Sequence, residues 1–92
     1  MIPPADVRGL ILGLPAGTCR GQAHGKTYLA TRSAFSASRS IKVVAQELGG
    51  PDYISLNFYD LERGPQVFPC EMSSTKVISI LRNFRPEKQN KT

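Results

Sequence analysis

Apolar and polar residues alternate strictly between Tyr53 and Tyr59. Ile54, Leu56 and Phe58 fall on one side, and Tyr53, Ser55, Asn57 and Tyr59 on the other. A period of two is the geometry of an extended chain, so this stretch predicts a strand with one buried and one wet face. Glu62-Arg63-Gly64-Pro65 then turns the chain, and Gln66 to Cys70 returns as a second strand. Pro69 has no N–H to donate and marks an edge or an end. Earlier in the chain, Thr18 to Ala23 and Lys26 to Phe35 flank His24-Gly25, a tight-turn pair, and predict a hairpin.

Helical spacing occurs at both ends. Val7, Leu10, Ile11 and Leu14 follow Pro3-Pro4 and Asp6 and predict a short helix, stopped by Gly13 and Pro15. Val77, Ile80, Leu81 and Phe84 predict a final helix capped by Ser73 or Ser74. Residues 39–48, "RSIKVVAQEL", satisfy both periods. Ile41, Val44, Ala45 and Leu48 form a helix face, whereas the β-branched Ile41, Val43 and Val44 favour a strand. We take the helix, ended by Gly49-Gly50. The expected architecture is therefore α+β: a small antiparallel sheet of about four strands with two or three helices packed on it. Residues 1–86 make a single compact domain and 87–92 a polar tail.

Charge changes this picture by being uneven. The chain has 92 residues and a formal net charge of +5. From Val7 to Gln46 it carries no carboxylate, while Glu47, Asp52, Asp60, Glu62 and Glu71 crowd the segment that follows. The basic front half suits a polyanion or an acidic protein surface. Leu10 to Leu14 is too short an apolar run to span a bilayer, and Asp6 precedes it where a secretory leader carries basic residues. A cytoplasmic protein with free thiols and no membrane contact is the expectation.

Candidate chemistry is sparse. A catalytic cysteine needs its thiol pKa lowered, and Glu71 beside Cys70 works against that, so Cys70 reads as an apolar plug. One histidine, His24, and two separated cysteines cannot by themselves complete a four-ligand zinc site. "GQAHGKT" (21–27) has three residues between its glycines where a phosphate-cradling loop has four. No enzyme, metal or cofactor is expected. What remains is a set of cations around a ring: Arg20, Lys26, Tyr28, Arg32, Arg39 and Lys42, taken together as one exposed partner-binding surface.

A small α+β build without a catalytic set, together with "YISLNFYDL" (53–61) and "FPCEM" (68–72), resembles the phage-encoded anti-CRISPR inhibitors of type I surveillance complexes. The resemblance implies a non-enzymatic inhibitor whose partner is a ribonucleoprotein or another protein complex. The strong positive balance departs from the acidic, DNA-mimicking members. It implies instead that Arg20, Lys26, Arg32 and Arg39 touch guide-RNA phosphates or acidic Cas surfaces and block target DNA binding. Two other readings stand beside it. One is a small basic nucleic-acid-binding accessory protein making RNA or DNA phosphate contacts. The other is an oligomeric partner protein of the toxin–antitoxin kind, joined through the strand edge near Pro69.

Overall fold

The computed structural model describes residues 1–35, 39–70 and 72–87. Helix α1 (Ala5–Leu12) leads into a meander of five strands: β1 (Gly17–Ala23), β2 (Lys26–Phe35), β3 (Ser40–Glu47), β4 (Tyr53–Leu61) and β5 (Gly64–Pro69). Helix α2 (Ser74–Asn83) then carries the chain back across the sheet to β6 (Arg85–Pro86). The six strands form one antiparallel sheet in the order β5-β4-β3-β2-β1-β6. No helix among the described residues is long and apolar enough to cross a membrane.

The α+β class is as expected, but the sheet is wider. Residues 39–48 contribute strand β3 rather than a helix. Its Ile41, Val43 and Ala45 are buried while Lys42 and Gln46 are exposed, a period of two. Backbone pairing decides the ambiguity: β3 lies between β2 and β4, so its N–H and C=O groups find partners on both sides. The second addition is β6, two residues long and polar, too short to leave any periodic signal.

Alternate residues of the central strands make the core. Tyr28, Ile41, Val43, Ile54, Leu56 and Phe58 pack beneath Val7 and Ile11 of α1 and Val77, Ile80 and Leu81 of α2. Each such side chain, fully buried, contributes about 1.5–3 kcal/mol. Both helices lie on this one face, and the molecule is only 19 Å through its thinnest axis, the depth of one sheet layer and one helix layer. The opposite face of the sheet carries nothing among the described residues.

The helices are tied down by paired charges. Arg82 donates twice to Asp6, joining α2 to α1 at 2.9 and 3.0 Å, and Arg8 donates twice to Asp60, joining α1 to β4 at 3.1 and 2.8 Å. These exposed pairs fix geometry more than they add stability. At the N-terminus of α2 the Ser73 hydroxyl accepts from the Lys76 N–H at 3.2 Å, one of the two caps anticipated.

Edge strand β5 is closed to further pairing. Val67 exchanges hydrogen bonds with the main chain of Met1 at 2.9 and 3.0 Å. Pro65 and Pro69 share the outward phase of Val67 and have no N–H to offer.

At the other edge Gly21 lies beneath Phe84. A Cβ there would strike the Phe84 ring and come within 2.7 Å of the Arg85 carbonyl oxygen. Gly21→Ala is therefore expected to destabilise the fold by about 1–3 kcal/mol, the usual cost of overpacking, as a lower urea midpoint with unchanged slope. An unchanged midpoint would show that the α2–β6 return can move away freely.

Candidate nucleic-acid interface

Strand alternation sends the predicted site residues in two directions. Lys26, Tyr28 and Arg32 do share a side of β2, but it is the side that the helices cover. Tyr28 is fully buried and cannot stack on a ligand. Arg32 is half-buried opposite Gly17 and Val43, its Nε enclosed and without a hydrogen-bond partner. Arg20 and Lys42 point to the bare side, and Arg39 is exposed just before β3. The six do not form one surface.

On the covered side, Asp52 is the hub. The Tyr28 hydroxyl donates to it at 2.6 Å, Lys76 Nζ lies at 2.5 Å, and Lys26 Nζ stands off at 4.0 Å. The Lys76 ammonium first, and the Tyr28 hydroxyl second, hold the Asp52 carboxyl down to about 2. Burial, reinforced by the bond to Asp52, pushes the Tyr28 phenol above its ordinary range. His24 and Ser79 complete the rim of this small cleft, with His24 Nε2 and Ser79 Oγ 2.9 Å apart. Asp52 thereby offsets one of the two positive charges of Lys26 and Lys76 and makes this side a weaker polyanion site.

The bare side has a different chemistry. Register places Phe35 of β2, Ser40 of β3, Tyr59 of β4 and Gln66 of β5 in one cross-strand row. The next row holds Ser33, Lys42, Asn57 and Phe68. Phe35 is 56% exposed and Phe68 48%, large values for phenylalanine on a folded domain. The Tyr59 and Phe68 rings meet edge to face at 5.6 Å, which holds both upright. Lys42 rises between these rings and the hydroxyl and amide side chains beside it. Arg63, in the β4–β5 turn, flanks this end of the sheet. Arg39, preceding β3, falls in the opposite phase, where its carbonyl accepts from the Asp60 N–H at 2.8 Å and its charge adds to that of Arg8 in lowering the Asp60 pKa.

Carboxylates are sorted away from this face. Asp6, Asp52 and Asp60 are engaged by Arg82, Lys76 and Arg8 on the helix side. Glu62 lies in the turn beside Arg63. Besides Glu62, the open face has one carboxylate among the described residues, Glu87 at its β6 margin, 3.2 Å from Arg20. Arg39, Lys42, Arg63 and Arg85 have no described carboxylate within 4 Å. Sequence reasoning missed Phe35, Tyr59, Phe68 and Arg63. The alternation of 53–59 already assigned Tyr59 to the wet side; assigning 39–48 to a helix concealed that this wet side continues through Lys42 to Phe35.

Cys70 is not the core plug expected of it. Cys19 packs against the core, and burial pushes its thiol pKa up. Cys70 lies half-buried outside the core, where Asn57 Nδ2 reaches its Sγ at 3.6 Å.

Asp52 gives the fold a pH signature. A carboxyl whose pKa is lower folded than unfolded stabilises above its unfolded value, about 3.9, and that stabilisation is lost as pH falls toward its folded value. Thermal melts between pH 5 and 2 are expected to decline more steeply for the natural chain than for Asp52→Asn; Asp6 and Asp60, shifted the same way, add a common slope to both. Parallel profiles would mean that Asp52 is not the hub. The chain matches no protein-family model, no curated protein and no solved structure to which it was compared.

Proposed function

We propose that this protein binds single-stranded nucleic acid on the bare face of its sheet and carries out no catalysis. The observation that carries this reading is the cluster of Phe35, Tyr59 and Phe68 around Lys42 at one end of that face, with Arg63 in the adjoining turn. Every base has a π-face, so exposed rings accept unpaired bases at about 1–3 kcal/mol each, while neighbouring cations take the phosphates. An open sheet face suits an extended strand whose bases are splayed out, the form in which single strands are recognised. The position of Lys42 weighs against a protein partner on the same patch, because lysine is depleted at the centre of protein interfaces.

The inhibitor role implied by the anti-CRISPR resemblance is compatible with this face, the bound strand then being the guide RNA of a surveillance complex. The oligomeric partner reading has less support, since the β5 edge it would use offers no free N–H at Pro65, Val67 or Pro69.

Fluorescence anisotropy with a labelled homopolymer tests the proposal. Binding is expected to weaken linearly on a log–log salt plot, with about 0.7 of slope per phosphate neutralised. Phe68→Ala is expected to cost about 1–3 kcal/mol of affinity with little change in slope. Lys42→Gln is expected to flatten the slope by about 0.7. Affinity unchanged by both substitutions would overturn the proposal. Failure to bind any free oligonucleotide, alongside tight binding to a purified surveillance complex, would replace it with the inhibitor reading.

A further inference from the structure

The open face has a second aromatic position that the cluster does not include. Tyr53, 44% exposed, begins β4 at the opposite end of the sheet. Its cross-strand row continues through Gln46 and Leu29 to Arg20, and Arg85 projects from β6 beside the neighbouring Gln22. A ring and an exposed leucine are thus followed by two arginines between β4 and the β6 edge. Arg20 is shared with Glu87, but that pair is solvent-exposed and a phosphate can compete for it.

Tyr53 and Tyr59 are six residues apart on one strand, which separates the two positions by about 20 Å. Two rows lie between them. The one beside Tyr59 holds Lys42; the one beside Tyr53 is neutral, formed by Ser55, Val44, Thr31 and Thr18, with the Thr18 and Thr31 hydroxyls 3.2 Å apart. Hydroxyls both donate and accept, and so does the ribose 2′-OH that distinguishes RNA from DNA. No described charge in that row competes for such contacts.

We infer that the ligand is a single strand of RNA laid along the sheet. One base stacks at the Phe35–Tyr59–Phe68 end, another at Tyr53, and the intervening riboses lie on the hydroxyl row. This rests on the proposed function and adds a second subsite, a minimum length and a preferred sugar to it. A strand stacked at 3.4 Å per nucleotide needs about six nucleotides to cover the gap, and an unstacked one fewer. Joining two subsites makes the second contact intramolecular, so affinity rises sharply once the strand is long enough to reach both.

The test uses the whole chain with unstructured RNA of about 3 and about 12 nucleotides and DNA of the longer length, bracketing the span set by nucleotide rise. The longer RNA is expected to bind at least tenfold tighter than the shorter, and several-fold tighter than the DNA. Tyr53→Ala is expected to weaken the long RNA about tenfold and leave the short one unchanged, while Phe68→Ala weakens both. Arg85→Gln, a change on an exposed side chain, is expected to reproduce the length-selective loss in milder form. Equal affinity for the two RNA lengths, or no length-selective loss with either Tyr53→Ala or Arg85→Gln, would overturn the second subsite even if Phe68→Ala confirmed the first. Equal binding of RNA and DNA would overturn the sugar preference. Insensitivity of both lengths to Phe68→Ala would instead remove the proposed function itself.

Discussion

Two helices are enough to cover one side of a six-stranded sheet, and here both lie on the same side. The period of two in β2, β3 and β4 forces this arrangement, because Tyr28, Ile41, Val43, Ile54, Leu56 and Phe58 all project from one surface and must be buried together. Everything on the other surface is then left in water, whatever its chemistry. A one-residue slip in any of these strands would exchange core and surface, so the composition of the open face is held in place by the burial of the core behind it.

Charge follows the same division. The helix side holds arginine–aspartate pairs and the Asp52 hub, where opposite charges satisfy one another and fasten the helices to the sheet. The open side holds lysine and arginine among rings, hydroxyls and amides, and its described carboxylates, Glu62 and Glu87, stand at its margins. Net charge alone does not produce this; the segregation does. A polyanion approaching the open side meets cations that no described carboxylate within 4 Å has claimed, focused over a thin, flat layer.

The parts of the fold with strong periodicity were legible in the residues. The β1–β2 hairpin about His24-Gly25, the β4–β5 hairpin, the Ser73 cap and the buried stripe of α2 all follow from local pattern and turn chemistry. Residues 40–47 were not legible, because Ile41, Val44 and Ala45 satisfy helical spacing as well as Ile41, Val43 and Ala45 satisfy alternation; only neighbouring strands on both sides settle it. The candidate site suffered from the same ambiguity. Cations were identifiable by type, but whether Lys26 or Lys42 belongs to the open face depends on which side of the sheet the helices cover, and no local pattern in β2 carries that information. Tyr28 is the clearest case: an aromatic between basic residues looks like a stacking platform, yet the ring is buried and its hydroxyl has a half-buried partner in Asp52, contributed by a loop that is remote in sequence.

The central claim is that ligand binding belongs to the open face and not to the helix side. Backbone amide chemical shifts recorded by NMR during titration with single-stranded RNA test it most directly. Perturbations are expected to concentrate at Phe35, Lys42, Tyr59 and Phe68 and extend to Tyr53 and Arg20, with α1 and α2 nearly silent. Perturbations centred on Lys26, Asp52 and Lys76, or on the outer surfaces of the two helices, would contradict it.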